Sequence, residues 1–140
     1  MSASLETELP PFGAEMAVIA LGGAIGSCLR FGVSLGMGAA QLHGALAAGC
    51  VNLLGSFLLG LLVGHLESGN AHPLLRPFLS VGVFGSFTTF SALALDNRGI
   101  ALEAGEAVAA AHLAASVLFG LTAFVLGESS SGLIRAPGRR

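Results

Sequence analysis

The residues best suited to chemistry in this chain form one short run, Gly82–Ser91. The run combines two glycines, four hydroxyl side chains and three phenylalanines, and it lies within an uncharged apolar stretch, Pro77–Leu95, that is long enough to cross a bilayer. In hydrocarbon, backbone N–H and C=O groups have no water to bond, so a broken helix survives only where it is buried or faces a cavity. A break rich in glycine and threonine at this depth is therefore a candidate ion site. The alternative is a continuous helix whose hydroxyls bond to the carbonyl four residues earlier.

Polar side chains also interrupt the other apolar stretches. Asn52 lies near the middle of one, where its amide could line a pore or join two helices by hydrogen bonds. Arg30 lies well inside another, and a charge at the bilayer centre costs about 2.5–3.5 kcal/mol on insertion scales. We expect Arg30 to face protein or water, or to snorkel from a helix that ends near Leu29. His112 and Ser116 are one helical turn apart, which core polarity explains as readily as a conduction path.

Composition places the chain among membrane proteins. It is 54% hydrophobic and only 10% charged, with a mean hydropathy of +0.83, whereas soluble domains carry about a quarter charged residues. Four stretches are long and apolar enough to span a bilayer, and they contain no Asp or Glu: Met16 to about Leu42, Gly44–Gly64, Pro77–Leu95 and Ala107–Gly127. The sequence predicts an all-α integral membrane protein with a polar N-terminal tail (1–15), a four-helix domain (16–127) and a basic C-terminal tail (128–140).

Several other functions are disfavoured by the residues present. The N-terminal region carries acidic and no basic residues, so we expect the first span to be retained rather than cleaved as a signal peptide. The two cysteines form no CxxC pair, and the four histidines have no metal-ligand spacing, which argues against a metal enzyme. No nucleophile, base and orienting group recur in a recognisable arrangement. The net charge of −2 gives no reason to expect nucleic acid.

Small residues recur at helical spacing in two of the stretches. One stripe runs through Asn52, Ser56, Gly60 and Gly64, and another through Gly22 and Gly26. Such stripes let membrane helices approach closely. They could pack the four helices of one chain against each other, but four short helices enclose little space, so the pattern favours an oligomer.

Three motifs together resemble those of the Fluc (CrcB) family of fluoride channels. Gly82–Ser91 is similar to the family's GxxGxxTTFS signature, Gly22–Phe31 to GGxxGAxxRY, and Val51–Phe57 to VNxxGSF. The motifs appear in the family's order, and the resemblance covers about residues 16–127.

The resemblance implies a specific architecture. Family members are antiparallel dimers of four-helix subunits, with a third helix that breaks at mid-membrane, two narrow pores and a structural, non-transported Na⁺ on the dimer axis. By resemblance, the backbone carbonyls of Gly85 and Thr88 would bind Na⁺. Asn52 would offer a hydrogen-bond donor to the pore, Arg30 would attract anions at a vestibule, and Phe90 would be the first phenylalanine of an aromatic box. A phenyl ring edge is positively polarised, which makes it a plausible fluoride contact.

The implied function is passive export of fluoride across the cell (inner) membrane, which lowers fluoride toxicity. The chain would be a multi-pass membrane protein in contact with lipid, and its ligands would be fluoride and Na⁺. The nearest rival of similar size, a four-helix multidrug exporter, needs a membrane-embedded carboxylate, and the predicted spans contain none.

Some positions depart from the family pattern. Leu93 stands where the second box phenylalanine is expected, and His112 replaces the Tyr that usually precedes Ser116 by one turn. The arginines favour one orientation over dual topology, because with a cytoplasmic N-terminus four would lie inside (Arg76, Arg135, Arg139, Arg140) and two outside (Arg30, Arg98). Two arrangements therefore remain open, a homodimer and a heterodimer with a paralogous subunit.

Overall fold

The computed structural model describes residues 10–39, 44–66 and 72–134, and their regular structure is entirely helical. In chain order the elements are α1 (Phe12–Ala39), α2 (Gly44–Leu66), a π-helical segment (Pro77–Phe84), α3 (Gly85–Phe87), α4 (Phe90–Ala104) and α5 (Glu106–Ile134). Within these described residues, four stretches are long and apolar enough to cross a membrane: Phe12–Ala39, Ala48–Leu66, Pro77–Ala104 and Glu106–Gly132. The predicted four-span, all-α membrane fold is confirmed.

The third span is broken, as the sequence predicts. Thr88 (φ −76°, ψ 147°) and Thr89 (φ −145°, ψ 121°) have extended backbone between α3 and α4. Thr88 closes the first half of the span, because its N–H and its Oγ1 both donate to the carbonyl of Phe84, at 3.0 and 2.9 Å. Thr89 caps the second half, since its Oγ1 accepts from the N–H of Ala92 at 3.4 Å. The two threonines therefore satisfy backbone groups that the break exposes.

The helices extend beyond the apolar stretches that predict them. α4 continues nine residues past Leu95 and ends only at Gly105, whose φ of 95° suits glycine and whose N–H donates to the carbonyl of Ala101 at 3.1 Å. Nothing between Leu95 and Gly105 breaks the backbone hydrogen-bond ladder, because a single internal glycine is tolerated in a helix. α5 likewise continues past Gly127. The predicted apolar stretches contain no carboxylate, but these longer helices do, since α4 includes Asp96 and Glu103 and α5 includes Glu106 and Glu128.

Glycines bring α1 directly onto the π-helical segment. A Cβ on Gly22 would collide with the carbonyl oxygen of Phe78, and a Cβ on Gly26 would collide with that of Val83. Gly82, on the π-helical segment, is also tightly packed against α1, because a Cβ there would lie 2.9 Å from the Cα of Gly22. This contact fixes the first half of the broken span against α1.

A second glycine contact joins α2 to α5. A Cβ on Gly60 would meet the carbonyl oxygen of Phe124, and a Cβ on Gly127 would meet that of Phe57. Gly64 is equally close to Ser131. The stripe of α2 and the glycines of α1 are thus used for packing within the chain, and they no longer argue for an oligomer.

Candidate ion pathway

Asn52 binds the break directly. Its Nδ2 donates to the carbonyl of Thr89 at 3.0 Å, and its Oδ1 accepts from the N–H of the same residue at 2.8 Å. The amide therefore pairs with both polar groups of one extended residue, as a neighbouring β-strand would. An Asn amide nitrogen has two hydrogens, so one donor remains beyond this pair. A donor on Asn52 is what the resemblance implies, and the structure adds its role in holding the break.

Gly55 allows α2 to approach the break at the level of Asn52. A Cβ on Gly55 would lie 2.5 Å from Cγ2 of Thr88 and 3.1 Å from Cδ1 of Phe87. Any larger residue would push α2 away from the extended segment and would lengthen the two hydrogen bonds of Asn52. The VNxxGSF motif thus contains both the amide of Asn52 and the small residue, Gly55, that lets this amide reach Thr89.

Arg30 contacts α3, just before the break. It lies within α1, which continues to Ala39, so the helix does not end near Leu29 and Arg30 is not a snorkelling end residue. The side chain is half-buried, and its Nε donates to the carbonyl of Ser86 at 3.3 Å. A guanidinium has five N–H donors, and this contact uses one of them.

Two clefts open beside the extended segment. The phenylalanine cleft, of about 330 Å³, is lined by residues that include Asn52, Ser56, Thr88, Thr89, Phe90, Leu93 and Ser116. The histidine cleft, of about 290 Å³, is lined by residues that include Cys50, Asn52, Leu93, His112, Ser116 and Phe119. Asn52, Leu93 and Ser116 belong to both clefts. Five of the six residues predicted for the fluoride path therefore come together, and Arg30 alone lines neither cleft.

The two box positions have opposite environments. Phe90 is 71% exposed on the surface of the chain, where its ring borders the phenylalanine cleft. Leu93 is only 7% exposed and packs in the wall between the two clefts. An aliphatic side chain there offers neither a polar group nor a positively polarised edge to an anion. Leu93 shapes the clefts without contributing a ligand.

His112 is held at the histidine cleft by a side chain on α4. Its Nδ1 lies 3.2 Å from Oδ1 of Asn97, and Asp96 is the preceding residue on that helix. Ser116 faces the same cleft and donates its hydroxyl to the carbonyl of His112 at 2.8 Å. The sequence analysis overlooked Asp96 and Asn97. Their spacing of three and four residues from Leu93 was the available signal, because it puts them on the same face of α4.

Gly85 and Thr88, the residues implied for Na⁺, lie at the two ends of α3. Gly85 begins α3 and is exposed, whereas Thr88 follows its last residue and lines the phenylalanine cleft. The neighbouring carbonyls of Phe84 and Ser86 accept hydrogen bonds from Thr88 and Arg30. The carbonyl of Thr88 is at the C-terminal end of α3, and a helix-end carbonyl is the donor type that unwound membrane helices offer to Na⁺.

Comparison with known proteins supports a single family. The family model described as "CrcB-like protein, Camphor Resistance (CrcB)" matches residues 17–128. The chain is 43% identical over 115 residues to a "Fluoride-specific ion channel FluC" of Parabacteroides distasonis, covering 79% of this chain and 87% of the relative. It is 37% identical over 140 residues to "FluC 2" of Nocardia farcinica, covering 98% and 99%. It is 40% identical over 124 residues to FluC of Thermus thermophilus, covering 84% and 93%.

These relatives are named as channels, and neither they nor the family model indicates an enzyme. Because Asp96 is helical, the absence of carboxylates no longer argues against an exporter, and the family decides that question instead. The four apolar helices and the match over most of their length lead to one conclusion: this chain is a multi-pass membrane protein of the CrcB family.

Proposed function

We propose that this chain is a fluoride-selective channel that lets F⁻ leave the cell passively and so lowers its toxicity. The relatives named above are fluoride-specific channels, and the chain matches nearly their whole length. The observation that carries the proposal is the pair of hydrogen bonds between Asn52 and Thr89. These bonds stabilise the extended backbone of the third span beside two clefts that polar side chains help to line.

The chemistry of the clefts suits a small, strongly hydrated anion. Fluoride gives up its water only where other donors replace it, and the second hydrogen of Asn52 Nδ2 is available for this. The edge of Phe90 adds a weaker positive contact. Among the described residues that line the two clefts there is no Asp or Glu, so no carboxylate there opposes an anion.

Na⁺ would serve as a structural ion at the break. The backbone oxygens of Gly85 and Thr88, at the two ends of α3, would hold it. When bound, the ion supplies a fixed positive charge that stabilises helix-end carbonyls and is not itself transported.

A dimer would complete the pathway. Phe90, the first residue of α4 after the break, is 71% exposed, and a second subunit would cover it. We propose an antiparallel arrangement of two subunits, as a homodimer or as a heterodimer with a paralogue. The buried Leu93 favours the heterodimer, since this chain supplies only one of the two box phenylalanines.

Growth of a fluoride-sensitive bacterium tests the proposed activity in cells. A strain that lacks its own fluoride channel should tolerate fluoride when it expresses this chain, alone or with a paralogue that has both phenylalanines. The sensitivity of the same strain to chloride and to cationic drugs should not change. Tolerance of a cationic drug without tolerance of fluoride would indicate an exporter and contradict the proposal.

A further inference from the structure

We propose that Ser56 is a further fluoride-binding residue of the pathway, and that its hydroxyl and the remaining amide hydrogen of Asn52 form a pair of donors on one face of α2. Ser56 is half-buried, lies one helical turn after Asn52 and lines the phenylalanine cleft. The role of Ser56 rests on the proposed function, to which it adds a second hydrogen-bond donor.

The hydroxyl of Ser56 differs from other hydroxyls in the helices of this chain. Ser34, Thr122 and Ser130 each donate to the carbonyl four residues earlier, at 3.1, 2.8 and 2.6 Å. A hydroxyl in a helix commonly satisfies its hydrogen in this way. Ser56 does not, because within the described residues its hydroxyl has no hydrogen-bond partner. Its hydrogen is therefore available to an acceptor in the cleft.

The other hydroxyl groups that line the phenylalanine cleft are already engaged. Ser116 and Thr88 each donate to the backbone carbonyl four residues earlier, at 2.8 and 2.9 Å. Oγ1 of Thr89 caps α4 and also lies 2.9 Å from Oγ of Ser91. Among the described hydroxyls of this cleft, Ser56 is thus the one that takes part in no hydrogen bond. An anion is a strong acceptor, because hydrogen bonds to a charged partner are about twice as strong as neutral ones.

The packing of α2 against α5 does not require a hydroxyl at this position. A Cβ on Gly60, one turn after Ser56, would collide with a backbone carbonyl of α5. By contrast, a Cβ on Gly120 of α5 would lie 3.6 Å from Oγ of Ser56, which is ordinary van der Waals contact. Alanine would therefore pack here as well as serine. Gly120 also lines the phenylalanine cleft and has no side chain, so it leaves space beside the hydroxyl.

The surroundings of Ser56 favour an anion over a cation. Asn52 has one amide hydrogen beyond its two bonds to Thr89, and residues one turn apart on a helix have Cβ atoms about 5–6 Å apart. Two donors at such a separation can contact the same small anion. Among the described residues that line the phenylalanine cleft there is no carboxylate to attract a cation or repel the anion.

Fluoride efflux from liposomes that contain the chain, alone and with its paralogue, tests this role over a range of fluoride concentrations. Ser56→Ala should lower the flux at low fluoride concentration at least about ten-fold, because one hydrogen bond to a charged partner is lost. Ser56→Thr, which keeps a hydroxyl, should restore most of the flux. Ser34→Ala removes an exposed hydroxyl of α1 outside both clefts and should keep the wild-type flux. The unfolding temperature of Ser56→Ala should equal that of the wild type.

Two flux results would overturn the role of Ser56 and leave the proposed function standing. One is wild-type flux in Ser56→Ala, and the other is a loss of flux that Ser56→Thr does not restore, since the hydroxyl would then not be what matters.

If the wild type conducts no fluoride in either preparation, the proposed function fails, and binding of fluoride decides the role of Ser56. A bound ion raises the unfolding temperature, which can be compared in NaF and in NaCl at equal concentration. A rise specific to fluoride that Ser56→Ala reduces would support the site. No such rise in the wild type, or an equal rise in Ser56→Ala, would overturn it.

Discussion

At the residue scale, Asn52 has two roles that are difficult to separate by sequence alone. It satisfies the N–H and the C=O of Thr89, and it borders both clefts. The two residues are 37 positions apart, so no local pattern predicts their contact. The sequence analysis identified the amide near the middle of its span. It left two alternatives open, a hydrogen bond that joins two helices and a polar group that lines a pore. The structure places one amide where it can do both.

Replacing Asn52 with alanine should destabilise the chain as well as stop conduction. The change leaves two backbone groups of Thr89 without partners, at about 1–3 kcal/mol each when buried. We expect a lower unfolding temperature in detergent and loss of fluoride flux. Ser56→Ala, which removes a hydroxyl from the same face of α2 one turn away, is the control. Equal unfolding temperatures for Asn52→Ala and Ser56→Ala would contradict the role of Asn52 in stabilising the break.

Replacing Phe90 should reduce fluoride flux with little effect on the stability of the chain. Its ring is 71% exposed, so Phe90→Ile removes little buried surface within the chain and should change the unfolding temperature of the monomer only slightly. Fluoride flux should nevertheless fall at least about ten-fold, a loss of about 1.4 kcal/mol, because the aromatic edge is gone. Unchanged flux in this variant would remove Phe90 from the pathway.

At the element scale, the broken third span is stabilised by contacts with two neighbouring helices. α1 contacts its first half through Gly22 and Gly26, while α2 contacts the extended segment through Asn52 and Gly55. The resemblance implied the break, whereas the residues alone left a continuous helix open as the alternative. The ends of α4 and α5 were not predictable, because hydropathy marks where apolar residues stop, whereas a helix continues until a residue such as Gly105 ends it.

Glycine 26 provides a direct test of the α1 contact. Gly26→Ala would push a methyl group into the carbonyl oxygen of Val83, which is backbone and cannot move aside cheaply. We expect a loss of stability of roughly 1–3 kcal/mol, as for other overpacked sites, and reduced flux, because Arg30 is one turn further along α1 and bonds the same span.

The matched control for this variant is Gly36→Ala, also in α1, where a Cβ meets nothing within 4 Å. Alanine favours helix over glycine, so this second change should be neutral or slightly stabilising. Both variants can be compared by thermal unfolding in the same detergent. Equal unfolding temperatures would show that the close approach of α1 is not important.

At the scale of the whole molecule, α1 packs against the first half of the third span, α2 packs against α5, and Phe90 is exposed beside the break. The glycine stripes are used internally, so the proposal of a second subunit rests on the exposed Phe90 and on what the resemblance implies rather than on those stripes. The predicted orientation bias cannot be followed into the C-terminal tail, because Arg135, Arg139 and Arg140 lie outside the described residues.

The choice between homodimer and heterodimer has a distinct experimental signature. If the chain needs a paralogue, co-expression should give a stable complex of the two subunits, and the chain purified alone should be a monomer or an inactive dimer. We expect Leu93→Phe to increase the fluoride flux of the chain alone, since it restores the second aromatic edge. A fully active dimer of the unmodified chain would exclude the need for a partner.

The most direct test of the central claim is fluoride efflux from liposomes that contain this chain, alone and together with its paralogue, with chloride as the comparison anion. The proposed channel predicts rapid fluoride efflux without chloride efflux in at least one of the two preparations. It also predicts that this efflux is abolished by Asn52→Ala and preserved by Gly36→Ala, a change in α1 outside both clefts. Equal efflux of the two anions, or fluoride efflux that Asn52→Ala leaves intact, would contradict a selective pathway formed at the break.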